Sequence, residues 1–142
     1  MPGVASLEAQ QYYAHPRNTF WPIVSRLLDF PADLDYSGKL QALNNRGYVL
    51  WDVVRCCERA GSLDSAIQPA SVEINDFACL LAEYPGIERV FLNGGAAYKL
   101  WQKQVAPRLL TPITATQLPS TSPAYAAMSM AQKRVIWRQI LI

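Results

Sequence analysis

The sequence predicts an α/β fold, with a parallel sheet covered by helices on both faces. Three compact runs of strand length, at 48–54, 89–93 and 111–117, are one ground for this. Apolar residues at helical spacing between those runs are the second. Strands that alternate with helices pair in parallel, because each crossover returns the chain across a face of the sheet. The third ground is bulk composition. The 142 residues are 51% hydrophobic and 17% charged, which suits one globular domain, residues 1–142, and excludes a disordered chain.

The elements follow in order. "MPGVASLEAQQ" offers no strand. The first clear element is a helix in which Phe20, Ile23, Val24, Leu27 and Leu28 share one face. Pro22 is tolerated in its first turn, where backbone donors lack helical partners anyway. A sheet of this class normally opens on a strand, so a sheet lacking its first strand is expected here. "DFPADLDYSG" reads as a loop, and Leu40–Asn45 as a short helix closing near Gly47. "YVLWDVV", 48–54, reads as a buried strand. "GSLDSAI", 61–67, is turn-rich. Phe77, Leu80, Leu81 and Tyr84 mark a helix, with Asn75 as its N-cap. "RVFLN" is a strand, "GGAAYKLWQK" a turn into a helix, "TPITATQ" a third strand and "LPSTSPAY" a loop. Ser129 and Gln132 have capping-box spacing ahead of a basic helix.

Charge divides along the chain. Residues 1–88 hold all 11 acids, whereas residues 89–142 hold seven bases and no acid. Such a division implies either a polyanionic partner or ordinary solvated helices. No apolar run reaches 18 residues, so no membrane span is expected. No basic start precedes an apolar segment, so no secretory signal is expected. Three cysteines, two of them adjacent, form no disulfide framework and suit a reducing cytoplasm.

Several chemistries lack their residues. One histidine with scattered cysteines gives no zinc spacing. No Walker motif occurs, and "NGGAA" departs from G-x-G-x-x-G, so it reads first as a tight strand-to-helix turn. The serines of "LPSTSP" need a base, and His15 is the sole imidazole. In open parallel sheets, ligands sit at the carboxyl ends of strands. The loops after the three strands therefore qualify as sites, together with the "PRN" segment.

"YAHPRNTFW" at 13–21, followed by "LPSTSPAYA" at 118–126, resembles the uracil–DNA glycosylase superfamily. The similarity is to its DNA-deoxyinosine (hypoxanthine) glycosylase branch, with mismatch-specific uracil–DNA glycosylases as near relatives. "MPG..SL", "LWDVV..CERAGSLDSAI", "NDF" and "FLNGGAA" extend the resemblance over nearly the whole chain. It implies a three-layer αβα sandwich around a short, mainly parallel sheet. It implies excision of a deaminated base from DNA, hypoxanthine first, with no metal or organic cofactor and a monomer acting on DNA. The family carries a hydrophobic strand directly before "MPG", which again leads to the expectation that the first strand is missing.

Residue roles follow from the resemblance. Asn18 corresponds to the asparagine that positions the attacking water, and an amide can both accept from water and donate to developing charge. Its rival role is a helix N-cap. Tyr13 matches the aromatic that stacks on the flipped base, the rival being a core aromatic. His15 and Phe20 complete the pocket, His15 by ordering its wall and Phe20 also as part of the helix core face. Asp52 stands where relatives place a base-reading side chain, and a carboxylate can accept from a donor on a base edge. Its rival role is an acid at a helix N-terminus. Pro119, Ser120, Thr121 and Ser122 match the loop that meets the DNA backbone, although a plain turn would look the same. Leu118 cannot hydrogen-bond a base, which fits the deoxyinosine branch. Asp64 matches a family signature without an assigned role. The alternatives are a uracil or G·T mismatch glycosylase, a DNA-binding protein without catalysis because the N-terminal strand is missing, and a small nucleotide-binding domain using "NGGAA".

Overall fold

The apolar stripe of 20–28 forms the helix expected of it. In the computed structural model, which describes residues 2–58, 60 and 63–141 apart from the side chains of Asp64 and Pro69, this helix spans Phe20–Leu27. It follows a first short helix, α1 (Val4–Ala9), and is therefore α2. Phe20, Ile23 and Val24 are buried together with Trp21. Phe20 meets Trp21 and Trp137 edge-on, with ring centroids 5.0 and 5.7 Å apart. Each such pair adds a specific geometry to the burial of large apolar area.

α3 (Tyr36–Asn44) begins four residues earlier than Leu40 and takes up part of the segment expected to be a loop. The cause is local. Asp35 accepts the N–H of Gly38 at 2.7 Å and caps the helix. A Cβ on Gly38 would sit only 3.0 Å from that carboxylate oxygen, so the glycine that ends the expected loop makes room for the cap. Arg46 then ties two helix ends together. Its guanidinium donates to the carbonyls of Leu28, Asp29 and Ala42, carbonyls that a helix terminus leaves unpaired.

The run 48–54 is not a buried strand. Val49 and Trp51 are 59% and 53% exposed. Tyr48 is instead tied back, its N–H to the Leu43 carbonyl and its hydroxyl to the Ile140 carbonyl. Apolar composition alone cannot separate a buried strand from an extended segment pinned at one end. The strand that does form, β1 (Val54–Cys56), pairs antiparallel with β2 (Glu73–Ile74).

The parallel pairing expected of the class is found between β3 (Arg89–Asn93) and β4 (Thr114–Leu118), in continuous register from Arg89 opposite Thr114 to Asn93 opposite Leu118. β4 starts later than "TPITATQ" suggested and takes in Leu118. α4 (Phe77–Glu83) precedes β3, and α5 (Gly95–Leu100) follows it, running into a π turn at Trp101–Val105. The α4 cap is Asp76, which accepts the Cys79 N–H at 2.9 Å. Asn75 uses its amide to hold the Asp52 carbonyl at 2.7 Å, so it is a tie between segments and not the N-cap. The last helix, α6 (Met130–Trp137), starts on the full capping box of Ser129 and Gln132. Asp64–Ala66 is a 3-10 turn. Gly61, Ser62 and the Asp64 side chain lie outside the described residues.

The chain divides into two compact units, Asp52–Ser120 and the pair of segments Pro2–Trp51 and Thr121–Ile142. The first has a core of Val53, Phe77, Leu92, Trp101 and Val105. The second is built on α2, α3 and α6. The division redistributes charge. The first unit contains seven acids and six bases, the second four acids and seven bases. The acid-free tail is therefore shared between units, and the net positive unit is the one that carries "HPRN".

Arg46→Ala is predicted to destabilise the fold by roughly 1–3 kcal/mol, because three helix-end carbonyls lose a donor at once. Arg46→Lys should recover only part of this, since an ammonium lacks the planar fork. Denaturant unfolding measures both, and an Arg46→Ala protein as stable as the parent would contradict the tie.

Candidate active site

"HPRN" folds as a closed four-residue turn. The Asn18 N–H donates to the His15 carbonyl at 2.8 Å. Proline suits the second position of such a turn because its φ is preset. The Arg17 N–H donates to His15 Nδ1 at 3.1 Å, so the imidazole fastens the turn. The bond orders the turn itself. Arg17 itself is exposed and puts a cation one residue ahead of Asn18, a feature the motif comparison left without a role.

Asn18 is half-buried, and its Oδ1 accepts the Phe20 N–H at 3.0 Å. The N-cap of α2 is Thr19 and not Asn18, but the Asn18 side chain still satisfies the first donor of the helix from one residue further out. This bond does not consume the amide. An amide has two acceptor sites and two donors, and the bond uses one acceptor site while fixing the plane of the group. The next residue is fixed as well. The Thr121 carbonyl accepts both the Thr19 N–H at 3.1 Å and the Thr19 hydroxyl at 3.3 Å.

Tyr13 stacks on Phe20, with ring centroids 3.8 Å apart and planes 20° apart. Phe20 is only 4% exposed. It therefore backs the wall and does not line the pocket, a correction to its expected place among base-contacting residues. Tyr13 is the outer, half-buried ring. Its φ of +58° is costly for an aromatic residue, on the order of 1–2 kcal/mol. The flanking bonds hold it there. The Tyr12 N–H donates to the Tyr36 hydroxyl at 3.0 Å, the Ala14 N–H to the buried Ser6 hydroxyl at 3.1 Å, and the Trp21 indole to the Tyr12 carbonyl at 3.1 Å. Ser6 stands in the "MPG..SL" match, which assigned it no tie, and Tyr36 carried no sequence signal for this.

The loop residues divide. Thr121 is fully buried, so its hydroxyl is closed to a phosphate, and its carbonyl does the work described above. Ser122 is half-buried; its Oγ accepts the Ala124 N–H at 3.2 Å and its carbonyl the Tyr125 N–H at 3.0 Å. Pro119 and Ser120 close the other unit, where Gly94 approaches Ser120. A Cβ on Gly94 would lie 3.1 Å from that of Ser120. The Gly94 N–H donates to the Leu118 carbonyl at 2.9 Å, and its φ is +102°. "NGGAA" is thus a tight turn at the carboxyl end of the parallel pair. Leu118 is fully buried.

Asp52 lies in the first unit, ahead of β1 and outside any strand, although the strand expected at 48–54 would have included it. Burial pushes its carboxyl above the ordinary value of 3.8. Tyr13, His15, Asn18, Phe20, Thr121 and Ser122 come together in one unit, while Asp52, Pro119 and Ser120 belong to the other. Among the described residues, no group of three or more His, Cys, Asp or Glu could hold a metal ion, and no helix is long and apolar enough to cross a membrane.

The family model described as "Uracil DNA glycosylase superfamily" matches residues 1–141. A protein named hypoxanthine DNA glycosylase from Methanosarcina barkeri is 34% identical over 95 residues, which is 66% of this chain and 59% of that protein. One of the same name from Methanosarcina acetivorans is 37% identical over 98 residues, 68% of this chain and 61% of that protein. The chain thus aligns with about three fifths of the length of these curated relatives.

Gly94→Ala is predicted to cost roughly 1–2 kcal/mol, since alanine resists positive φ and its methyl meets Ser120. Thermal unfolding checks this, and an unchanged midpoint would contradict the close approach. Asp52→Asn tests the buried carboxyl. The folded state holds the Asp52 proton to higher pH than the unfolded chain does, so stability falls as pH rises through the window above 3.8. The amide should therefore raise the melting temperature at pH 7, with the gain shrinking as pH falls towards 3.8. A loss at pH 7 would contradict the sign.

Proposed function

This chain belongs to the uracil DNA glycosylase superfamily, and from that premise we propose that it excises a deaminated base from DNA, hypoxanthine first. The reaction is hydrolysis of the N-glycosidic bond after the nucleotide is flipped out of the stack, leaving free base and an abasic site. Flipping costs a few kcal/mol, so the extruded base needs a stacking surface. Tyr13, backed by Phe20 and held by bonds on both sides, is that surface in our reading. The names of the Methanosarcina relatives support hypoxanthine as the first substrate.

The observation that carries the reading is the fixed amide of Asn18. As the base leaves, the sugar takes on oxocarbenium character and a water must stand close to it. A strong base is unnecessary, because positioning and electrostatics supply most of the barrier reduction in such a reaction. Asn18 is suited to this because its bond to the Phe20 N–H prevents rotation while leaving a second acceptor site for water. Arg17 and Ser122 meet phosphates in this reading, in keeping with the positive charge of the unit that holds them and "HPRN". Cys56, Cys57 and Cys79 form no disulfide among the described residues, which suits a reducing cytoplasm. A monomer acting on DNA is the arrangement we propose.

The test is excision from labelled duplexes carrying deoxyinosine, deoxyuridine or a G·T mismatch, with hot alkali to cut abasic sites. Deoxyinosine is expected to be cut first. Asn18→Ala should slow excision by on the order of a hundredfold, by analogy with losing one preorganised polar group. Asn18→Ser retains a short oxygen for the Phe20 N–H, so it should be equally slow while melting near the parent. A parental rate in Asn18→Ser would sink the assignment. Duplex binding with no abasic product would point to a binding protein, and excision confined to deoxyuridine or G·T would move the specificity.

A further inference from the structure

Lysine is seldom buried without a compensating partner. Lys133, in α6, is 4% exposed, and the reaction described above makes no use of it. Among the described residues no carboxylate shifts it; burial alone lowers its pKa. Its ammonium donates to the Tyr125 carbonyl at 2.9 Å and lies 5.2 Å from the centre of the Tyr125 ring. The charge lost from water is thus compensated by one charge-assisted bond and one aromatic face, both supplied by a single loop residue.

That residue ends a closed turn. The Tyr125 N–H donates to the Ser122 carbonyl, and the Thr121 carbonyl just before it receives Thr19. Segment 121–125 is therefore pinned at both ends. One pin is beside Asn18 at the start of α2. The other is Lys133, whose own helix is anchored by the Ser129 and Gln132 capping box.

We infer that Lys133 is a positioning residue that clasps the 121–125 segment in its DNA-engaging shape, next to the amide that positions water. An apolar side chain could fill the same space at lower desolvation cost. What the ammonium adds is a directed bond to one backbone carbonyl, which fixes the loop before DNA arrives. A loop ordered in advance spares the complex the entropy of ordering it on binding. The inference rests on the glycosylase reading for what the loop meets, but the clasp itself can be tested without it.

The experiment is single-turnover excision of a deoxyinosine duplex over a range of protein concentrations, together with amide hydrogen exchange of residues 122–126. Lys133→Met should raise the half-saturating concentration by roughly tenfold, with the maximal rate within about threefold of the parent, because order lost from a contact loop weakens binding before chemistry. Exchange at 122–126 should quicken. Lys133→Arg, which keeps charge and donors, should recover part of both. If Lys133→Met fails to fold, Tyr125→Ala removes the aromatic half of the clasp from an exposed residue and should show the smaller effect in the same direction. Unchanged exchange in these variants overturns the inference. So does a fall in maximal rate alone. No excision by the unsubstituted protein would count against the glycosylase reading, and exchange would still decide the clasp.

Discussion

The Thr121 carbonyl accepts two hydrogen bonds from Thr19, one from its backbone and one from its hydroxyl. The local order of the candidate site depends on that junction. It joins segments a hundred residues apart in the chain at the position directly after Asn18. On one side, the closed His15–Asn18 turn leads into α2 and its apolar face. On the other, a short turn runs to Tyr125 and the buried Lys133. A carbonyl with both lone pairs occupied inside a buried residue is hard to move, because either bond broken away from water leaves an unsatisfied group.

The aromatic stack carries the second constraint. Phe20 is held edge-on by Trp21 and Trp137 and face-on by Tyr13. Tyr13 is kept in a left-handed backbone conformation that costs free energy by itself. Three hydrogen bonds around Tyr12 and Ala14 offset that cost. Backbone strain held by surrounding bonds is a common way of preorganising a site. Here it presents one ring outward over a second ring that never leaves the core. Asn18 follows the same economy, since one bond both holds the first N–H of α2 and orients the amide.

Much of this was legible in the sequence, though unevenly. The α2 stripe, the capping box of α6, the "RVFLN" strand and the "NGGAA" turn follow from periodicity and turn chemistry, which act over a few residues. The family and its "HPRN" turn were legible because a motif records them. The strand expected at 48–54 failed because Val49 and Trp51 look buried by composition, while Tyr48 pins the segment elsewhere. Leu40 as a helix start failed because "DFPADLDYSG" was read as a loop, whereas Gly38 makes room for the Asp35 cap. Asn75 lost the cap to its neighbour Asp76 for want of any rule separating adjacent candidates. Phe20 and Thr121 were assigned to pocket and DNA by motif, and only burial shows that they support instead. Lys133 had no signal, and Ser6 had only its place in "MPG..SL", because their partners lie in segments that no local pattern connects.

In our reading a preset Asn18 amide serves the reaction while still holding the first N–H of α2. The most direct measurement is a crystal structure of the protein bound to a duplex carrying a non-cleavable deoxyinosine analogue. The Phe20 N–H is expected to remain on Asn18 Oδ1, a water to sit on the same amide beside the sugar C1′, and the extruded base to stack on Tyr13. An Asn18 side chain facing only α2, with no water and no sugar near it, would contradict this reading.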